Sequence, residues 1–305
     1  MLHKKKKFDK KWIFYIILVG LPLIQYAIFY LYVNVNSFTL AFNSYDKITG
    51  EQSFVGLDNF RRVYDAFFKS ELAHQFSIQL KNSIVNYLLT LIVGTGGAVV
   101  FSYYIYKKQL GSDFFKIILF LPQVIPGIAL ISIYRYVMET GVVSIYNEMS
   151  SEPIASLLNN ADTVYGVVLF FSLFLGFGTQ VLMYLGAMNK INPSITEAGM
   201  LDGVTFVSEF FLITLPCVFS TIATFLVVGL TGIFTNDLGL YSFFSGNAPG
   251  EAQTLGYYLY NITKINSTNQ SEWPFIAAIG ICFTVIVAPV TIFLKWWLDK
   301  KDPIK

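Results

Sequence analysis

The chain has 305 residues, of which 54% are hydrophobic and only 13% charged, with a formal net charge of +2. A soluble domain carries about 25% charged residues, so this sequence cannot cover its own surface in water and reads as a membrane protein. The two cysteines, Cys217 and Cys282, sit beside or inside apolar stretches and argue against a disulfide framework; His3 and His74 have no Cys or Asp at ligand spacing, so no metal site is expected.

A basic tail, residues 1–11, comes first, with lysines at 4, 5, 6, 7, 10 and 11. Residues 12–305 then form the membrane domain. Six apolar runs near the 20-residue length that a bilayer requires are expected over 12–32, 83–106, 114–137, 165–188, 210–235 and 273–297. The first run is too long for a secretory leader and lacks a small-residue cleavage site. The fold class is therefore an all-α membrane protein of about six transmembrane helices. Lys116, Arg135 and Lys295 lie near span ends, where long side chains reach the headgroups.

Basic residues set the orientation. Fourteen of the 21 Lys and Arg fall in the tail, at 107, 108, 116 and 190, and at the C-terminal end (295, 300, 301, 305), against six on the other side (47, 61, 62, 69, 81, 264). Both termini are then cytoplasmic, and so is the connection 190–216 between the fourth and fifth spans.

The first external connection, 33–82, contains Phe54-Val55-Gly56-Leu57-Asp58-Asn59-Phe60, which reads as a turn opening a short amphipathic helix. Asp58 or Asn59 is expected to cap it, with Phe60, Val63, Tyr64 and Phe67 on one apolar face. Gly94, Gly96 and Gly97 in the second span, and Pro122, Pro126 and Gly127 in the third, allow close helix approach and bending.

The cytoplasmic connection carries the most specific pattern, Glu197-Ala198-Gly199, then Asp202-Gly203, then Ile213-x-Leu215-Pro216. It resembles the "EAA" loop of binding-protein-dependent ABC importer permeases: Glu-Ala-Ala, a Gly after three intervening residues, and Ile-x-Leu-Pro after nine more. Gly199 departs from the second Ala. The stretch Ser37-Phe38-Thr39 and the 54–60 run are similar to the segment after the first span in the carbohydrate, maltose-transporter-like subgroup. Read on residue chemistry alone, Ser194 and Glu197 form a Ser-x-x-Glu capping box, and Asp202-Gly203 ends the helix so begun. The resemblance implies that Glu197, Ala198, Gly199, Asp202 and Gly203 form a coupling helix that docks on an ATPase subunit.

What is missing agrees with a borrowed energy source. None of the 22 glycines precedes a lysine, so there is no phosphate loop. The spans hold no acidic residues of the kind that proton-driven carriers use. The chain is thus expected to be a non-enzymatic transport subunit without a cofactor of its own. ATP and Mg would be bound by two ATPase subunits; a second homologous permease, an extracellular solute-binding protein and membrane lipid complete the expected partners, with no nucleic acid and with a bacterial inner membrane as location. For the substrate path, bilayer arithmetic at 1.5 Å per residue selects Gly176, Thr179 and Gln180 in the fourth span and Gly229 in the fifth. Asn236 follows from similarity to the polar-aromatic stretch of sugar permeases. Thr and Gln in membrane helices also bond neighbouring helices, so packing is the competing reading for each. A neutral solute, a sugar or oligosaccharide, is favoured over an amino acid, peptide or polyamine. A self-contained carrier would require intramembrane charges and inverted repeats, and a transport-free scaffold would leave the docking loop unexplained.

Overall fold

The computed structural model describes residues 10–46, 49–69 and 72–303; for Lys10, Trp12, Ile13 and Leu72 only the backbone is described. Most of the basic tail, with Lys47 and Lys305, therefore lies outside the described residues. Among the described residues, six helices are long and apolar enough to span a membrane: Phe14–Ala41, Ala73–Tyr106, Gly127–Met149, Val164–Met188, Phe206–Phe244 and Gln270–Lys301. The chain divides into two compact units, residues 1–65 with 266–282, and residues 66–265 with 283–305.

In the first unit, the apolar side chains of the first span face outward, Phe29 and Tyr32 being among the most exposed. The helix runs to Ala41, well beyond the expected end at 32. Its polar residues are absorbed by its own backbone: Asn34 Nδ2 donates to the Tyr30 carbonyl at 2.6 Å and Ser37 Oγ to the Val33 carbonyl at 2.9 Å. A two-stranded antiparallel hairpin follows, Asn43–Tyr45 (β1) with Gln52–Phe54 (β2), in the register Ser44 to Ser53. The amphipathic helix is present as Asp58–Phe68, but Asn59 does not cap it. Its amide donates instead to the carbonyls of Ala41 (2.9 Å) and Asn43 (2.8 Å). Val63 and Phe67 are buried, whereas Tyr64 is exposed and off the expected apolar face. Arg62 pairs with Glu272 at 2.7 Å and lies 4.3 Å over the Phe275 ring.

The second unit is a helix bundle with two separate apolar clusters. One gathers Ala98, Val99, Tyr103, Leu119, Val181, Tyr184, Met188, Phe210 and Val218 at the end of the bundle that carries the basic residues. The other gathers Ile131, Val164, Val168, Phe171, Leu240, Phe243 and Tyr257 at the opposite end. Ser102 links the second and fourth spans by donating to the Val181 carbonyl at 2.9 Å.

Three expected boundaries shift. The second helical run begins at Leu72, about three turns before the expected start at 83, because its polar residues find partners. Gln75 Nε2 donates to the Gly250 carbonyl (2.8 Å), and Asn82 Nδ2 to the carbonyls of Glu251 (2.7 Å) and Gln253 (2.9 Å). The run 114–137 is not one helix: Ser112–Val124 stops at Ile125, which is extended at ψ 133°, and Gly127–Tyr136 restarts after Pro126. Proline drives its predecessor out of the helical region. The fifth span is helical from Phe206, earlier than 210, so the loop 190–216 contracts around its central helix.

Candidate functional site

The helix Pro193–Leu201 is built by its ends. Asn192, in extended conformation, is the N-cap and its side chain accepts from the Ser194 N–H at 3.1 Å. Pro193 takes the first helical position, where a missing N–H costs nothing. The expected Ser194–Glu197 capping box is therefore not formed; Ser194 lies inside the helix, displaced from the cap by Asn192. The other end follows the sequence expectation. Asp202 closes the helix, and Gly203 takes φ +77°. The Gly203 N–H bonds the Met200 carbonyl at 3.1 Å and the Val204 N–H the Gly199 carbonyl at 3.0 Å. These are the two bonds of a Schellman end.

Glu197, Ala198, Asp202 and Gly203 are all exposed, while Thr196 and Gly199 face inward. Gly199 allows a close approach: a Cβ there would stand 2.5 Å from Ile213 Cδ1. The spacing of Gly199 and Ile213 thus corresponds to a physical contact between the short helix and the start of the fifth span. Exposed apolar side chains border the acidic ones, with Ile195 at 46% and Leu201 at 89% exposure. Neither was singled out by sequence pattern, because single exposed apolar residues are common and carry no signal of their own.

The polar candidates in the spans divide into two groups. Gln180 and Gly229 line one cavity of about 120 Å³ together with Tyr87, Thr90, Thr95 and Phe225. Thr95 Oγ1 donates to Gln180 Oε1 at 3.4 Å, and a Cβ on Gly94 would lie 2.9 Å from the Gln180 amide nitrogen. Thr90–Gly97 is a π-helical turn, so the glycine-rich stretch of the second span is a local widening of the helix against Gln180. Gly176 and Thr179 do not line this cavity; the Thr179 hydroxyl donates to the Leu175 carbonyl of its own helix at 3.2 Å. Asn236 caps the helix Leu215–Thr235, its side chain accepting from the Leu238 N–H at 2.8 Å. Arg135, expected to reach the headgroups, donates to the Phe243 carbonyl at 3.3 Å.

Six spans with a doubly capped, exposed helix inserted between the fourth and fifth define a multi-pass transport component of a membrane. The sequence pattern of the binding-protein-dependent transport system inner membrane components matches residues 91–302, and the chain belongs to that family. It is 21% identical over 97% of its length to the multiple sugar-binding transport system permease protein MsmF of Streptococcus mutans, covering 98% of that protein. It is 25% identical to the arabinooligosaccharides transport system permease protein AraP of Bacillus subtilis, over 88% of this chain and 83% of that one. A bacterial ABC transporter structure involved in import of the acidic polysaccharide alginate superimposes with a TM-score of 0.73 at 21% identity, covering 95% of this chain and 96% of its counterpart.

Proposed function

We propose that this chain is one permease subunit of an ATP-driven importer for a neutral sugar or oligosaccharide, oriented with the Pro193–Leu201 helix in the cytoplasm. That helix is the observation that carries the reading. Its two ends are fixed by hydrogen bonds, its inner face is keyed to Ile213 through Gly199, and its outer face presents Ile195, Glu197, Ala198, Leu201 and Asp202. A short rigid helix with a mixed apolar and acidic face suits a groove on an ATPase subunit, which would bind ATP and Mg. The family's relatives that carry sugar names, and the alginate transporter solved with its periplasmic protein, support an extracellular binding protein as a further partner; a second, homologous permease completes the proposed assembly.

The substrate class rests on the cavity chemistry. Aromatic faces from Tyr87 and Phe225 beside neutral hydrogen-bonding groups from Thr90, Thr95 and Gln180 suit hydroxyl-rich solutes, and no charged side chain lines the cavity. Its volume of about 120 Å³ falls below the roughly 300 Å³ at which ligand pockets begin, so the spans must part before a sugar ring enters. The test is purification of the tagged chain in mild detergent from its own cell, followed by mass spectrometry and ATP-driven uptake of labelled sugars. Recovery with a second permease and an ATPase, and uptake that requires ATP, supports the reading. Recovery of this chain alone, still moving solute, overturns it.

A further inference from the structure

We propose that the ion pair between Lys107 and Glu209 is a positioning device that locks the end of the second span to the segment just after the coupling helix, so that both move as one body during the transport stroke. The inference rests on the docking role proposed above for the Pro193–Leu201 helix. Lys107 closes the helix Ala98–Tyr106, and Glu209 ends the helical turn Phe206–Glu209. The Lys107 Nζ donates to both carboxylate oxygens of Glu209 at 2.9 Å each, with the two side chains only 18% and 5% exposed.

One turn earlier on the same helix face, Tyr103 makes a second set of contacts with the same segment. Its hydroxyl donates to the Phe206 carbonyl at 2.9 Å, and its ring lies 4.8 Å from that of Phe206 and 5.0 Å from that of Phe210. Residues 103 and 107 on one side thus meet residues 206, 209 and 210 on the other, each set at the three- and four-residue spacings of a helix face.

Cohesion alone does not account for a buried ion pair here. Removing two charges from water is costly, and apolar residues of similar volume commonly hold helices together as well or better. What the pair adds is register, because a two-pronged ion pair specifies a single alignment of the two segments, the best-attested use of such a buried pair. Register matters at this place. A displacement of the Pro193–Leu201 helix reaches Ile213 through Gly199 and enters the fifth span along the chain. The Lys107–Glu209 pair and Tyr103 are what carry it sideways into the second span, whose π-helical turn at Thr90–Gly97 faces the Gln180 cavity.

The test uses the complete transporter in proteoliposomes with its loaded binding protein, reading solute imported per ATP hydrolysed and the yield of assembled complex. Lys107→Met and Glu209→Gln should assemble and hydrolyse ATP, while solute moved per ATP falls by roughly 5- to 150-fold, the range over which linked equilibria are coupled. Lys107→Arg should retain most of the coupling. The exchange Lys107→Glu with Glu209→Lys, which keeps one positive charge on the same side of the membrane, should restore much of it. A pair that only stabilises the fold would lower the yield of complex and leave solute per ATP unchanged in whatever assembles; that result, or an exchanged pair no better than either single variant, overturns the proposal. Glu197→Lys and Gly203→Pro, run in parallel, separate the two readings. If they abolish ATPase association while Lys107→Met transports normally, the ion-pair proposal alone fails; if they too transport normally, the docking role itself is wrong.

Discussion

Substitutions at Gly203 isolate how much of the docking surface depends on the end of its helix. Gly203 sits at φ +77°, and a Cβ there would meet nothing within 4 Å. The cost of a side chain is therefore backbone strain alone, about 1–2 kcal/mol for an L-residue in the left-handed region. Alanine should weaken association with the ATPase by about 5- to 30-fold if that association requires the native helix end. Asparagine tolerates the left-handed region better than alanine and should fall between glycine and alanine. Proline forces φ to about −65° and deletes the N–H bonded to the Met200 carbonyl, so it should cost about 3 kcal/mol or more, roughly a hundredfold. The assay is titration of the purified ATPase onto the permease in nanodiscs, with thermal unfolding of each variant to show that the spans remain intact. Parental affinity in Gly203→Pro, or asparagine weaker than alanine, would refute the reasoning.

Gly199→Ala should leave transport intact, because the clash at 2.5 Å is with the terminal methyl of Ile213, which can rotate, and alanine favours the helix by about 1 kcal/mol; uptake assays check this, and loss of uptake would show that the contact tolerates no adjustment. Gly178→Val should lower the unfolding temperature in detergent. A Cβ there already stands 3.0 Å from the Leu119 carbonyl, and overpacking costs about 1–3 kcal/mol; an unchanged midpoint would mean that the helix Ser112–Val124 and the fourth span are less closely packed. Asn59→Ala leaves the carbonyls of Ala41 and Asn43 without their side-chain donor, at about 1–3 kcal/mol, so hydrogen exchange in the 43–45 and 52–54 strands should speed up by about 5- to 150-fold. Gln180→Leu should change the apparent KM or rate of uptake with the complex still assembled, and identical kinetics would make the Gln180–Thr95 contact packing only.

The six spans were legible because composition leaves no alternative to a membrane, but their limits were not. Asn34 and Ser37 read as loop residues until their bonds to helix carbonyls are seen, and the polar start of the second run depends on carbonyls at 250, 251 and 253, far away in sequence. The break at Pro126 was written in the sequence, since the proline itself dictates it; reading through it gave one span where there are two helices. The docking helix shows the same division. Gly203 announced its end, whereas Asn192, two residues before Ser194, took the cap because Pro193 suits the first helical position. Lys107 and Glu209 are 102 residues apart, so only the fold could pair them. A lone glutamate entering an apolar run was the available hint.

The division of the bundle into two apolar clusters bears on how a stroke could cross it. Buried apolar side chains concentrate where the second, fourth and fifth spans meet near the Pro193–Leu201 helix, and again where the third and fourth meet the 238–257 segment. Between these clusters the helices meet through Gln180, Thr95, Gly94 and Gly229 around a cavity, and the second span is wound as a π-helical turn. Lipid tails are as apolar as leucine, so these clusters hold by close van der Waals packing of low compressibility, whereas side-chain hydrogen bonds between membrane helices average only about 0.6 kcal/mol. The apolar ends are therefore the stiff parts, and the polar middle is where the spans separate at least cost. If the Pro193–Leu201 helix docks as proposed, a displacement entering there meets a rigid cluster to push against and a compliant layer directly beyond it, where the neutral hydrogen-bonding groups are gathered.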